Sequence, residues 1–246
     1  MFSLKTRSYQ KEIMDGEPRS TEELVHTYRL IRRVNRFLGG TRVTLAHLKN
    51  FSRRWASNDC IRILDVATGV ADIPEAIVKW ARKRGRRVKI VALDINPQIL
   101  AYAGKKLAAY PEITLMQASV FDLPFPPASF DYVITSQFFH HLNEPEAIQA
   151  LKILSSLARR GIIVNDLVRR LRAYGWIYFF SRFSKNEMFR NDATLSVRRG
   201  YRRREIEEMI KKAGLNYLRY FDHPFHRFAI AGEKTKSPVT KSQDHK

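Results

Sequence analysis

A chain of 246 residues is long enough for one α/β domain with a sizeable core and a helical extension. Its 44 Lys and Arg against 24 Asp and Glu give a formal charge of +20, which suits nucleic acid, an anionic membrane surface or an acidic substrate. A single cysteine, Cys60, excludes a disulfide framework and a cysteine-rich metal site. No apolar stretch is long enough to span a bilayer or to read as a leader, so a cytoplasmic protein with at most peripheral membrane contact is expected.

Residues 1–59 read as a polar, basic helical extension. Ser20-Thr21-Glu22-Glu23 offers an N-cap with acids in the first turn, and Gly39-Gly40 stops the run. Leu24, Tyr28, Ile31 and Val34 fall on one face. A second helix is expected near Thr44–Trp55. The extension is either a lid over the substrate side or a packing element. From Ile61 the chain alternates, with strands near Ile61–Val66, Val88–Asp94, Ile113–Gln117, Phe130–Thr135 and Gly161–Asn165. Helices fall near Ile73–Lys83, Pro97–Tyr110 and Glu144–Arg159. Such alternation marks a parallel sheet covered on both faces. A helix over Arg203–Ala213 ends at Gly214, and strands Leu215–Phe221 and Arg227–Gly232 are joined through Asp222–Pro224. The tail at 233–246 has a disordered composition.

The first strand, turn and helix, IRILDVATGVADIP over Ile61–Pro74, carry the chemistry. An acid ends the strand at Asp65, and the small residues Ala67, Thr68 and Gly69 let a ligand approach the backbone at a helix start. About twenty-five residues beyond Gly69, Asp94 ends the second strand, where a carboxylate accepts from a ribose diol. Only one of the three small positions after Asp65 is glycine, which is poor for a pyrophosphate and better for a nucleoside bearing an amino acid.

LDVATGVAD, VALDINPQIL and ASVFDLPFPPASFDYVITSQFFHHL resemble, in order, motifs of class I S-adenosylmethionine-dependent methyltransferases. That resemblance covers roughly 61–232. It implies a Rossmann-like, seven-stranded, mostly parallel sheet whose last strand is antiparallel, and S-adenosylmethionine as cofactor. It places Asp65, Ala67, Thr68 and Gly69 at the methionine end, Asp94 at the ribose and Ile95 against adenine. Ser119 stands where the family's adenine-side aspartate is expected, beside Val120, while Ser136 and Gln137 follow the fourth strand. NRFLGGTR with VNDLVRRLRAYG is further similar to bacterial methyltransferases found beside type III polyketide synthases, which implies secondary metabolism and a phenolic or quinone-like acceptor.

A hydroxyl acceptor calls for a base. His140 and His141 follow the fourth strand, and Asp166 ends the fifth. Each has a plainer role as a cap or packing residue. His, Cys and acidic residues show no metal-ligand spacing, so no metal is expected. The stretch 166–201 opens DLVRRLRAYGWIYFFSRF, with Trp176, Tyr178, Phe179, Phe180 and Phe183 among Arg169, Arg170, Arg172 and Arg182. It suits a helix at a lipid interface or one roofing an apolar pocket. The runs 82–87 and 198–204 leave an RNA methyltransferase as the alternative, although no Asn/Asp-Pro-Pro-Tyr/Phe motif follows strand four. A cofactor-binding or membrane-associated scaffold without catalysis is the third reading.

Overall fold

A computed structural model describes residues 4–16 and 20–234. The side chain of Val34 and the tail beyond Lys234 lie outside the described residues. Seven strands form one sheet in the order β3-β2-β1-β4-β5-β7-β6. They are β1 (Cys60–Val66), β2 (Arg87–Asp94), β3 (Ile113–Gln117), β4 (Phe130–Ser136), β5 (Ala158–Leu167), β6 (Arg219–His223) and β7 (Arg227–Glu233). The first five are parallel, and β7 runs antiparallel to both β5 and β6. The predicted Rossmann-like architecture is observed.

Helices α1 (Thr21–Phe37), α2 (Gly40–Phe51), α3 (Asp72–Lys83), α4 (Pro97–Lys106), α5 (Glu144–Leu157), α6 (Leu171–Ser181), α7 (Glu187–Arg199) and α8 (Arg203–Ala213) surround the sheet. Alternation along β1 divides the core. Ile61 and Ile63 join Leu48, Phe51, Ile73 and Ile77 of α2 and α3 on one face. Leu64 and Val66 join Leu151, Leu154, Ile206 and Met209 of α5 and α8 on the other. Strands covered on both faces require this nearly continuous apolar run.

Two segments depart from the expected layout for physical reasons. The second helix begins at Gly40 rather than Thr44, and its Val43, Leu48 and Phe51 are buried. Phe51 stacks on Tyr132 at 5.5 Å, and the Trp55 Nε1 donates to the Tyr132 hydroxyl at 2.9 Å. In the closing hairpin the turn is Pro224–His226, two residues later than expected. Phe225 and His226 both take left-handed backbone, with φ of 58° and 57°. Tight hairpins favour such angles, but glycine and asparagine usually supply them. Non-glycine residues there cost about 1–2 kcal/mol each. The turn delivers Phe225 half-exposed to the mouth of the main cavity.

Candidate active site

The β1–α3 turn is tied to the end of β2 before any ligand enters. Thr68 N donates to the Leu93 carbonyl at 2.8 Å, and Gly69 N donates to Asp94 Oδ2, also at 2.8 Å. The other Asp94 oxygen accepts from Asn96 N at 3.0 Å. Ala67, Gly69 and Ala71 all have left-handed φ, between 54° and 56°. Strain of this kind collects where a chain is shaped around a ligand. At Gly69 a Cβ would also lie 2.9 Å from the Tyr28 ring, so only glycine lets α1 close over the turn.

All ten predicted cofactor positions line one cavity of about 1130 Å³. They are Asp65, Ala67, Thr68, Gly69, Asp94, Ile95, Ser119, Val120, Ser136 and Gln137. The volume exceeds that of a usual single-ligand pocket, roughly 300–1,000 Å³, and leaves room for a second molecule. Ile95, just past the end of β2, is 70% exposed and lines the cavity, an apolar wall with no core to fill. Asp65 is buried, and its carboxyl is pushed up to about 8. Burial is the main cause, opposed by the bond from Thr68 Oγ1 at 2.6 Å and reinforced by the charges of Asp72 and Asp94. A cationic ligand group would relieve that carboxyl. The cradle therefore fits a nucleoside joined to a charged amino-acid end.

The three predicted bases have unequal surroundings. His140 and His141 lie on the 3-10 turn Phe139–His141 and line the cavity, whereas Asp166 does not. His140 is 2% exposed and held between two carboxylates. Its Nδ1 lies 2.7 Å from Asp166 Oδ1, and its Nε2 is 3.5 Å from Glu12 Oε1. Burial opposes its charge, but Asp166 and then Glu12 carry it up to about 10. Asp166 is spent on this ring, on His140 N and on Leu167 N. The two carboxylates thus favour the charged imidazolium of His140. His141 is tied through Nδ1 to Asp15 at 3.0 Å. Burial works against the charged Asp15 carboxyl, yet His141 and Arg199 hold it down to about 2.

This pairing predicts a stability profile. The histidine's folded value lies above the unfolded one of about 6.5, so its stabilisation is complete below that pH and is lost as pH rises through 10. Asp65 is also raised, but its own decline, starting near the unfolded aspartate value, ends near pH 8. Between pH 8 and 10 the wild type should lose about 1–3 kcal/mol in urea denaturation, and His140→Gln should flatten that limb. An equal loss in the variant would show that His140 is not the titrating group.

Several residues reach the site from far away in sequence. Glu12, Asp15 and Met14 wall the cavity, and the segment carrying them is held by Asp192, which accepts from Ile13 N and Met14 N at 2.8 and 2.9 Å. Arg199 is buried and donates to the carbonyls of His140 and His141 and to Asp15, so it is no grip for RNA. Arg82 pairs with Glu112 and Arg203 with Glu207, which also answers part of the basic runs internally. Arg169 does not flank the aromatic helix as expected; it is buried against Glu205 and the carbonyls of Leu4 and Gly200. Over the cavity lie Trp176, Ile177 and Phe180 of α6. Among the described residues no helix is long and apolar enough to cross a membrane.

The profile of a family described as "Methyltransferase domain" matches residues 63–161. Over 93 residues the chain is 39% identical to the ubiquinone/menaquinone biosynthesis C-methyltransferase UbiE of Rickettsia bellii, covering 37% of each chain. Over 103 residues it is 32% identical to a demethylmenaquinone methyltransferase of Lysinibacillus sphaericus, covering 42% of each. The matched part thus spans less than half of these curated relatives. Among solved structures, the plantazolicin methyltransferase BpumL superposes with a TM-score of 0.68 at 11% identity, covering 90% of this chain and 93% of that one. The magnesium protoporphyrin IX methyltransferase of Synechocystis PCC 6803 gives 0.56 at 14% identity, covering 90% and 91%. Residues 63–161 thus match a methyltransferase-domain profile, within a sheet that has the class I methyltransferase fold.

Proposed function

We propose that this chain is an S-adenosylmethionine-dependent methyltransferase for a lipophilic phenol- or quinol-type acceptor that it meets at an anionic membrane surface. The observation that carries this reading is one continuous cavity. It runs from the nucleoside cradle at Ala67–Gly69 and Asp94 to an apolar roof of Trp176, Ile177 and Phe180. When bound, S-adenosylmethionine supplies a sulfonium-activated methyl group for in-line displacement. The chain's part is to hold and align. Asp94 accepts from the ribose, Ile95 lies against adenine, and the left-handed turn brings bare backbone to the methionine end. The cationic His140 fixes the 3-10 turn that walls the acceptor side, with Glu12 and Asp166 as its anchors. The curated relatives named for ubiquinone and menaquinone methylation support an acceptor of quinol type.

The test is transfer of a labelled methyl group from S-adenosylmethionine to a prenylated naphthoquinol, a simple phenol and an RNA oligomer in parallel. Label is expected on the quinol or the phenol, with the quinol favoured when presented in vesicles. Label on RNA alone would overturn the acceptor class. Cofactor binding with no transfer to any of them would favour a non-catalytic role.

A further inference from the structure

Two buried polar atoms in the cavity wall have no partner in the protein, and they carry opposite charge. Arg227 is 1% exposed at the start of β7. Its Nε donates to the Leu38 carbonyl at 2.9 Å and its Nη2 to Asn35 Oδ1 at 3.1 Å, while Nη1 is unpartnered. Asp72, in the first turn of α3, leaves Oδ2 unpartnered. Both residues line the cavity. Asn35 also lies beside Asp72, whose charged form it favours. The Gln137 amide donates to the same Asn35 oxygen, which joins the pair to the end of β4.

A buried guanidinium with an unused N–H is costly, as is a buried carboxylate with an unused oxygen. The same wall offers one free donor on a cation and one free acceptor on an anion. The group that satisfies both is a hydroxyl that ionises. It can give its proton to the carboxylate and rest its oxygen on the guanidinium. Burial lowers Arg227 only to about 10, so it stays charged at neutral pH. Burial also raises the Asp72 carboxyl, despite the opposing charge of Arg32, which makes it the readier proton acceptor.

We propose that Arg227 and Asp72 form the acceptor-oxygen site, where Asp72 Oδ2 takes the proton of a phenolic or enolic hydroxyl and Arg227 Nη1 holds the oxyanion. The acceptor O–H bond breaks, its electron pair stays on oxygen, and a new O–H bond forms on Asp72. The oxyanion is then the electron source: as its oxygen or the adjacent ring carbon bonds the methyl group, the methyl–sulfur bond breaks with its electron pair left on sulfur, and the carbon route also releases the ring proton to solvent. This assignment rests on the methyltransferase reading and narrows it to acceptors with an ionisable hydroxyl. It adds a proton acceptor to the candidates His140, His141 and Asp166.

The probe is 4-nitrophenol, whose ionised form absorbs visible light, titrated against pH with the full chain saturated in S-adenosylhomocysteine. Bound nitrophenol should ionise about one pH unit lower than free nitrophenol, a tenfold shift of its equilibrium. Arg227→Gln should abolish the shift, and Arg227→Lys should keep part of it. In Asp72→Asn the phenolate should still bind, but its proton should be released to solvent. Calorimetry in buffers of different ionisation heat reads that release, which the wild type should lack. S-adenosylhomocysteine affinity measured alongside separates the failures. Wild type that binds it yet leaves nitrophenol unbound or unshifted would overturn the oxygen site alone. No binding of it at all would overturn the methyltransferase reading. If folded Arg227→Gln loses S-adenosylhomocysteine itself, Arg227 serves the cofactor and the proposal fails.

Discussion

Replacing Asp94 with alanine is expected to weaken S-adenosylhomocysteine binding by about ten- to a hundred-fold. Two losses add. The ribose loses a charged acceptor, worth roughly 1.5–3 kcal/mol. The β1–α3 turn also loses its tie, since Gly69 N and Asn96 N both donate to this carboxylate. Asp94→Asn separates them, because an amide oxygen can keep one backbone bond without the charge. It should fall between wild type and alanine in calorimetry. Unchanged affinity in a folded Asp94→Ala protein would remove the ribose contact from the account.

Phe179→Ser with Phe183→Ser should cut partitioning onto anionic vesicles by about a hundred-fold. Arg172, Trp176, Phe179, Phe180 and Phe183 recur at helical spacing, and all are exposed: Phe179 by 60% and Phe183 by 74%. A solvent-facing aromatic stripe next to Arg172 and Arg182 is suited to the headgroup boundary. Burying one such ring contributes roughly 1.5–3 kcal/mol. Neither phenylalanine lines the cavity, so S-adenosylhomocysteine binding should be untouched. Neutral vesicles should bind less than anionic ones. Added salt should release the protein, as the Debye length falls from about 10 Å at 0.1 M to about 3 Å at 1 M. Wild type that sediments with neither vesicle type would remove the membrane from the proposal. An RNA shift assay on the same variants tests the other use of positive charge.

The parts of this site that can be read in the sequence are those whose chemistry is local. Asp65, the small turn and Asp94 each sit at a strand end, and a strand followed by a helix brings those ends to one edge of a parallel sheet. Pro97, opening the next expected helix, marks the same edge, and in the structure Asn96 caps it. What was not legible came from distant segments meeting. Glu12 lies far from His140 in sequence, and nothing in either neighbourhood announces that they pair. Arg227 and Asp72 face one cavity only because β7 pairs with the end of β5 and α1 brings Asn35 beside both. The basic runs left several partners open because net charge is silent about which groups pair internally. Arg169 and Arg199 are buried, and only part of the excess remains for an external surface. In the closing hairpin, the turn was misplaced because Phe225 and His226 occupy angles usually given to glycine.

The most direct test of the central claim is a crystal structure of the chain grown with S-adenosylhomocysteine. The ribose is expected against the Asp94 carboxylate and adenine beside Ile95. The amino-acid end is expected over Ala67–Gly69 near Asp65, with the apolar half of the cavity under α6 still open. A ligand bound elsewhere, or an empty cradle at saturating concentration, would contradict the account.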